Sequence, residues 1–462
     1  MSTETIESRS PQRPDDMVVS TAAADREAVG RAFARARAAQ REWGGQQALA
    51  RANALAAAAE RVAAAADEIT QLMIREVGKP LGEAKGEAAR AVGILRYQAQ
   101  SALDPDGETI PAAPPSPPHT LLMSRRRPRG AAGLITPWNF PFAIPLWKAA
   151  PALAYGNTVV LKPSPDATAC ALRLEELLDE ELPEGVFQVV PGAGEAGEAL
   201  VEQADVVSFT GSTKVGMAVA QAAAARGIPA QCEMGGQNAS IVLPDADVEA
   251  AAKAIAFAAM GYAGQKCTAT SRVIVAGDPA PVTEAVLEAV KAMRNGDPAE
   301  EGVAIGPLIN PPARDKVVEA ARSAPGDGGQ VVAGGQALDG DGLFVAPTVV
   351  TGQQPDARLA QEEVFGPITT VLRADSVDQA VEIANGVPYG LVTSVFTKDL
   401  GAALELTERI DTGMIRVNQP TSGVDFHAPF GGEKGSSYGP REQGKMAREH
   451  YTSVHTLTVS PG

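Results

Sequence analysis

Cys267 stands in the stretch Gly264-Gln265-Lys266-Cys267-Thr268, beside a lysine, on a loop after the apolar helical run Ile255–Met260. A thiol becomes a nucleophile only as thiolate, and a nearby cation favours that form. By itself the pattern fits an inert core thiol equally well. Three other groups supply what a nucleophilic cysteine needs. Pro137-Trp138-Asn139-Phe140-Pro141 is a rigid loop between a strand end and a helix start. The Asn139 amide held there can donate to an oxyanion, or simply cap the helix. Glu233-Met234-Gly235-Gly236 puts a carboxylate at a strand end, where it can activate water against a thioester or form an ion pair. Glu363-Val364-Phe365 sets a carboxylate and a ring on one side of an extended segment. That pair can hold sugar hydroxyls and flank a flat heterocycle, or belong to a half-buried strand.

Two glycine-bearing turns could cradle phosphate. Gly192-Ala193-Gly194-Glu195-Ala196-Gly197 has the G-x-G-x-x-G form, but its next aspartate, Asp205, comes too early for a ribose contact. Phe209-Thr210-Gly211-Ser212-Thr213 runs from strand to helix and gathers backbone N–H groups, hydroxyls and a helix N-terminus in one place. Ordinary N-capping by Ser212 is the rival reading.

These residues need a scaffold. Helices are expected over Ala24–Trp43, Ala48–Glu76 and Glu83–Ala102, from alanine-rich sequence with apolar residues at helical spacing. Residues 1–20 are polar and expected to be ordered only where they dock. The proline-rich run 111–118 reads as an extended connector, followed by a strand at Thr120–Arg127. From Gly130 strands and helices alternate, which argues for a parallel, doubly wound sheet with its ligand beyond the carboxyl ends of the strands. A second α/β unit begins after Gly235-Gly236, and Ser453–Val459 alternates like an edge strand. The fold class is α/β.

The chain has 462 residues, room for two or three domains, and a net charge of −16. Such a charge argues against nucleic acid or an anionic membrane as partner. The basic run Arg125-Arg126-Arg127-Pro128-Arg129 is too short to reverse it and reads as a strand edge or an intersubunit contact. Three cysteines fit a reducing compartment, and Met1–Asp16 has no signal-peptide core, so a cytoplasmic protein is expected. The scattered histidines and cysteines show no metal-ligand spacing, so no metal is expected.

Together the motifs resemble the aldehyde dehydrogenase superfamily. The matching stretches are Glu76-Val77-Gly78-Lys79-Pro80, Pro137–Pro141, Lys162-Pro163-Ser164, Phe209–Ser212, Glu233–Gly236, Gly264–Cys267, Glu363–Pro367 and Pro429-Phe430-Gly431-Gly432-Glu433-Lys434. They stand in the family's order, and the spacing from Glu233 to Cys267 is the family's. The resemblance implies a Rossmann-type cofactor domain (1–116 and 130–234), an α/β catalytic domain (235–440) and a small β arm (117–129 and 441–462) that pairs subunits into a homodimer or homotetramer. It implies Cys267 as nucleophile, Asn139 as oxyanion donor and Glu233 as general base, in the branch that hydrolyses its thioester. For NAD or NADP it implies Lys162 on the adenosine ribose, Ser212 on the pyrophosphate, Glu363 on the nicotinamide ribose and Phe365 against the ring. Thr136, Pro137, Trp138, Ser164, Gly192, Phe209, Thr210, Gly211 and Gly235 complete that cleft.

Two departures from the family pattern stand out. The chain is short at its start, so the usual first strand pair is expected to be missing. Pro165 stands where NAD-preferring members carry a glutamate, which predicts that NADP is accepted. The implied substrate is a small aldehyde, met by Ala143, Ile144, Trp147, Lys266, Thr268 and the loop carrying Phe426, His427 and Phe430. Lys266 and His427 are expected to favour an aldehyde bearing a carboxylate, unless Lys266 points to solvent. Glu233–Asn238 and Gly435–Glu442 look like the branch that oxidises 2-oxoglutarate semialdehyde; a generalist for aliphatic or aromatic aldehydes is the alternative. A non-redox thioester enzyme or a silent binding protein on the same fold would have no reason to keep Lys162, Glu363, Cys267, Glu233 and Asn139 together.

Overall fold

The structure, a computed structural model, describes residues 4–460, so the outermost ends of the expected segments 1–116 and 441–462 lie outside the described residues. The chain opens with an antiparallel hairpin, β1 (Thr5–Ser10) and β2 (Arg13–Ala22). This corrects the expectation that the first strand pair is missing. Ile6, Ser8 and Ser10 alternate inward. Two of the three are hydroxyl residues, so no apolar alternation marks the strand. Ser8 Oγ instead donates to the buried Glu76 carboxylate at 2.6 Å.

Four helices follow: α1 (Arg26–Gly45), α2 (Ala48–Ala64), α3 (Ala66–Val77) and α4 (Leu81–Ser101). Asp25 caps α1 by accepting from Ala28 N at 2.7 Å. The single helix expected over Ala48–Glu76 is broken at Ala65 (φ −91°, ψ 8°). In a run of alanines propensity cannot mark a break; the acidic first turn of α3, Asp67 and Glu68, is its local sign. Gly78 ends α3 in the left-handed region, φ 62°, where a Cβ would lie 2.6 Å from Pro307 Cγ.

After the short strand β3 (Thr109–Ile110) and β4 (Leu121–Pro128) comes the first α/β unit. Its strands are β5 (Ala131–Ile135), β6 (Thr158–Lys162), β7 (Phe187–Val189), β8 (Val206–Thr210) and β9 (Ala230–Glu233). They are joined by α5 (Ala143–Ala154), α6 (Thr168–Asp179), α7 (Gly194–Gln203) and α8 (Thr213–Ala225). Every residue of β5, β6 and β8 is buried, as strands covered on both faces require.

The second unit opens with β10 (Asn238–Val242), α9 (Val248–Met260), β11 (Thr270–Ala276) and α10 (Ala280–Lys291). A short pair β12 (Arg294–Asn295) and β13 (Val303–Ile305) precedes α11 (Pro311–Ser323), β14 (Gln330–Ala333), β15 (Thr348–Thr351) and α12 (Arg358–Gln361). Then come β16 (Ile368–Ala374), α13 (Val377–Asn385), β17 (Tyr389–Gly390), β18 (Val392–Phe396), α14 (Leu400–Thr407) and β19 (Met414–Val417). The chain ends through β20 (Glu433–Lys434), β21 (Ser437–Tyr438), α15 (Ala447–Tyr451) and β22 (Thr452–Val459).

The strands assemble as β21-β9-β8-β5-β6-β7, as β14-β15-β16-β11-β10-β18-β19 and as a three-stranded arm β22-β4-β3. Thus β21 returns from the end of the chain to pair antiparallel with β9, setting Ser437 opposite Glu233. The last residue of β9, Glu233, leads directly into β10, so the chain passes from one sheet to the other at Glu233–Gln237.

Glu76 ties three elements together. It is fully buried and accepts from Ser8 Oγ and from the backbone N–H groups of Ala169 and Cys170, each at 2.7 Å, in the first turn of α6. Those N–H groups have no intrahelical acceptor. Replacing Glu76 by alanine is expected to cost about 2–4 kcal/mol and Ser8→Ala about 1 kcal/mol, read as a lower urea midpoint. A Glu76→Ala midpoint equal to wild type would refute this role.

Candidate active site and cofactor crevice

In the first sheet β5 runs on to β6 and β7 on one side and lies beside β8 on the other, so the chain order reverses between β5 and β8. Open α/β sheets bind ligands beyond the strand ends at such a point. The residues there are Thr136-Pro137-Trp138 after β5 and Thr210-Gly211-Ser212 after β8. The buried hydroxyls of Thr136 and Thr210 have no partner among the described residues. Ser212 precedes α8 without capping it by its side chain.

On the next strand Lys162 Nζ donates to the carbonyls of Pro163 (2.6 Å) and Gly192 (2.9 Å), and burial pushes its pKa down to about 8. The G-x-G-x-x-G stretch lies at the edge strand β7, away from the reversal. A Cβ at Gly192 would come within 2.4 Å of Ala196 Cβ, so this is a tight strand-to-helix turn that meets the crevice through its carbonyl. Opposite, Glu363 accepts from Gly236 N at 3.0 Å, and burial pushes its pKa up to about 7. A Cβ at Gly235 would lie 2.4 Å from its Oε2. The rings of Phe365 and Trp138 meet edge-on, centroids 5.8 Å apart. Unmatched hydroxyls, a lysine on carbonyls only and a buried carboxylate with one backbone partner fit a dinucleotide.

The cysteine loop follows α9 through three successive left-handed residues, Tyr262 (φ 55°), Ala263 (φ 52°) and Gly264 (φ 65°). At Gly264 a Cβ would come within 2.2 Å of Gly366 O. Such backbone persists only where its surroundings over-determine it. Here Gln265 bonds Tyr262 O, Pro307 O and Ile309 N, while Asn238 Nδ2 donates to Cys267 O at 2.8 Å. Asn139 is buried, and its Nδ2 donates to Gln265 O at 2.9 Å. One amide hydrogen thus holds Asn139 on the cysteine loop and the other is left for a bound oxygen.

Glu233 accepts from Gln231 Nε2 (2.9 Å) and Ser437 Oγ (2.5 Å). Burial, then the neighbouring Glu442, push its pKa well above the usual carboxylate range, against Ser437, Lys148 and Arg441. Cys267 opens into a cavity of about 410 Å³.

A thiol facing a buried high-pKa carboxylate and a side-chain amide, next to a dinucleotide crevice, is an arrangement with known counterparts. The sequence pattern of the aldehyde dehydrogenase family matches residues 1–457. The chain belongs to the aldehyde dehydrogenase family. It is 42% identical over 404 residues to the alpha-ketoglutaric semialdehyde dehydrogenase of Bacillus subtilis, covering 86% of this chain and 82% of that one. It is 38% identical to the alpha-ketoglutarate semialdehyde dehydrogenase of Haloferax volcanii, covering 98% and 95%. Among solved structures, betaine aldehyde dehydrogenase of Staphylococcus aureus in complex with NAD+ superposes with a TM-score of 0.94 at 31% identity, covering 99% and 91%. The enzyme is an NAD(P)-dependent oxidoreductase acting on the aldehyde group, and its α/β fold is the family's.

Of the residues expected to meet substrate, Trp147, Lys266, Thr268 and Phe430 line the cavity. Ile144 is buried in the core beneath it. Phe426 and His427 stack instead on Tyr97 of α4, His427 exposed and Phe426 with its ring against Gly93. Lys266 neither faces solvent nor is free for a substrate anion: it is buried, ion-paired to Glu83 and set over the Phe257 ring. Nor does it lower the Cys267 pKa. Burial pushes that thiol up to about 12, with Glu363 and Glu233 adding to the effect.

Sequence reasoning passed over the α4 wall and a buried network behind Glu233. In that network Gln231 Oε1 accepts from Ser208 Oγ at 2.7 Å, and Ser208 and Glu442 both meet Lys148. Two charges without nearby partners in sequence were its one available signal. Among the described residues no group of metal-ligating side chains occurs, and no helix is long and apolar enough to cross a membrane.

An ordinary thiol titrates near pH 8.5, and one raised by burial stays protonated beyond it. Without cofactor, the rate of Cys267 alkylation by iodoacetamide is expected to climb about tenfold per pH unit from about pH 7 to about 9.5. A plateau near 8.5 would contradict the raised value.

Proposed function

We propose that this enzyme oxidises the terminal aldehyde of 2-oxoglutarate semialdehyde (2,5-dioxopentanoate) to the dicarboxylic acid. The observation that carries the reading is Cys267 on the wall of a cavity, with the Asn139 amide holding its loop through Gln265 O and the Glu233 carboxylate within electrostatic reach of its thiol. The substrate is supported by the two relatives that carry this activity in their names.

The thiol gives its proton to Glu233, whose raised pKa suits it to hold one. The Cys267 sulfur attacks the aldehyde carbon, and the alkoxide lies between the free amide hydrogen of Asn139 and the Cys267 backbone N–H. NAD or NADP, when bound, supplies the hydride acceptor. Cys267 is left carrying the acyl group as a thioester. Glu233 releases the thiol proton to solvent and then takes one from water as the water attacks; the carbon–sulfur bond breaks, the proton returns to the Cys267 sulfur, and the acid leaves. Lys162, Ser212, Glu363 and Phe365 hold the dinucleotide. In this reading residues 1–116 and 130–234 form the cofactor domain, 235–440 the catalytic domain and 117–129 with 441–462 the arm.

NADP is accepted as well as NAD. Pro165 brings no carboxylate to the ribose, and neighbouring Asp166 accepts instead from Asn310 at 3.3 Å. We place the enzyme in the cytoplasm, where its three free cysteines stay reduced.

Turnover of 2-oxoglutarate semialdehyde is expected to exceed that of hexanal and benzaldehyde and to vanish in Cys267→Ala. Glu233→Gln, which lacks the base for both steps, should slow the first formation of reduced cofactor as well as hydrolysis, with no fast burst. Equal rates on acidic and neutral aldehydes refute the substrate; undiminished Cys267→Ala refutes the mechanism. A kcat/KM with NAD tenfold or more above NADP, about 1.4 kcal/mol, refutes the cofactor reading.

The enzyme works as a homodimer or homotetramer. Its arm exposes Leu121, Val454, Leu457 and Val459, and β22 has a free edge. Sedimentation should return two or four chains per particle; a monomer at micromolar concentration overturns this.

A further inference from the structure

The wall of the catalytic cavity formed by α4 carries Gly82, Glu83, Gly86, Glu87 and Arg90, recurring at helical spacing. Both acids are neutralised, Glu83 by Lys266 and Glu87 by Lys79. Arg90 is half-buried and, among the described residues, has neither a carboxylate at ion-pair distance nor a hydrogen-bond acceptor. It acts on Glu83 through space, and Glu83 is already held by Lys266. The cavity wall therefore carries one positive charge in surplus.

Two other donors in the same cavity are unmatched. Trp147 Nε1 and Ser422 Oγ are buried without a partner among the described residues, on residues 6% and 2% exposed. The glycines give a third, independent sign. A Cβ at Gly82 or Gly86 would meet nothing within 4 Å, so packing does not ask for glycine there. Glycine inside a helix is destabilising relative to alanine. What the two glycines provide is an open wall one and two turns before Arg90.

We propose that Arg90 is the specificity-determining residue of this cavity, pairing with the distal carboxylate of the substrate, while Ser422 Oγ and Trp147 Nε1 donate to oxygens at the same end. The ligand class is a short aldehyde acid with an oxygen-rich far end. A guanidinium presents two parallel N–H groups to a carboxylate, and a partly desolvated pair of this kind is strong. This assignment rests on the substrate reading above and moves its basis from Lys266 and His427 to a residue of α4.

The test compares kcat/KM for 2,5-dioxopentanoate and for pentanal, which has the same carbon count and no acid, in wild type, Arg90→Gln, Arg90→Lys and Ser422→Ala. Arg90→Gln should lower the acid-to-neutral ratio about 100-fold, mostly through KM. Arg90→Lys should recover part of it, and Ser422→Ala should lower it severalfold. In wild type the KM for the acid should rise with added salt. A wild type that prefers the acid, with a ratio unchanged in Arg90→Gln, overturns the Arg90 assignment and leaves the substrate reading intact. Equal losses on both aldehydes mark a structural role and also overturn it. A wild type indifferent to the acid removes the substrate reading and this inference together. Should Arg90→Gln fail to fold, the Arg90→Lys and Ser422→Ala ratios decide, and wild-type values in both overturn the proposal.

Discussion

The site hangs on one buried carboxylate. Glu87 Oε1 accepts from the backbone N–H groups of Phe142 and Ala143, at 2.9 and 3.0 Å, and its other oxygen meets Lys79. The first contact anchors the start of α5, whose N–H groups would otherwise be buried without acceptors. The second fixes an ammonium that is itself fully buried, 3.7 Å from the centre of the Phe140 ring and 4.7 Å from that of Tyr262. Phe140 belongs to the loop of Asn139, and Tyr262 is the first left-handed residue of the turn that presents Cys267. One carboxylate thus sets the mutual position of the α4 wall, the oxyanion donor and the nucleophile loop. Removing a single member of such a pair leaves an uncompensated charge, at about 3–5 kcal/mol. That energy is large enough to hold three left-handed residues in a row.

The electrostatics of the centre are the reverse of what a lysine beside a cysteine suggests. Around the Cys267 sulfur stand Glu363, Glu233 and Glu442, and the adjacent Lys266 is spent on Glu83. Burial and these acids keep the thiol protonated, and burial with Glu442 raises Glu233 as well. Transfer from the Cys267 thiol needs Glu233 ionised, and the raised pKa makes the carboxylate a stronger acceptor in that state. The resting thiol is also a poor target for oxidants, which act on thiolate.

How much of this was legible in the sequence depended on the range of the interaction. The alternating α/β pattern after Gly130 and the terminal strand come from local periodicity, and they stand; the proline-rich run 111–118, expected to be an extended connector, turns at 114–116 instead. Cys267, Asn139, Glu233 and Glu363 drew notice because short motifs mark strand ends and turns, and the structure places Cys267 on the cavity wall. The β1–β2 hairpin was missed because two of its three inward residues are Ser8 and Ser10, the first of them satisfied by Glu76 from far along the chain. The break at Ala65 was missed because alanine is neutral to where a helix bends. Lys266 was misread because Glu83, its partner, is distant in sequence, and Lys148 was passed over because Glu442, its partner, is more distant still. Side-chain pairing across such separations is created by the fold and leaves no local trace.

The two sides of the cavity answer to different constraints. Cys267, Asn139 and Glu233 sit on turns fixed by buried hydrogen bonds from several elements, so a change there would disturb more than one contact. The α4 wall is different. Gly82 and Gly86 have space around them, and Arg90 has no partner among the described residues, so these three positions, unlike Glu83 and Glu87 on the same helix, can change without loss of packing. Binding specificity on a shared catalytic frame is expected to collect on such a face, because a side chain there can be traded at little cost to the chemistry.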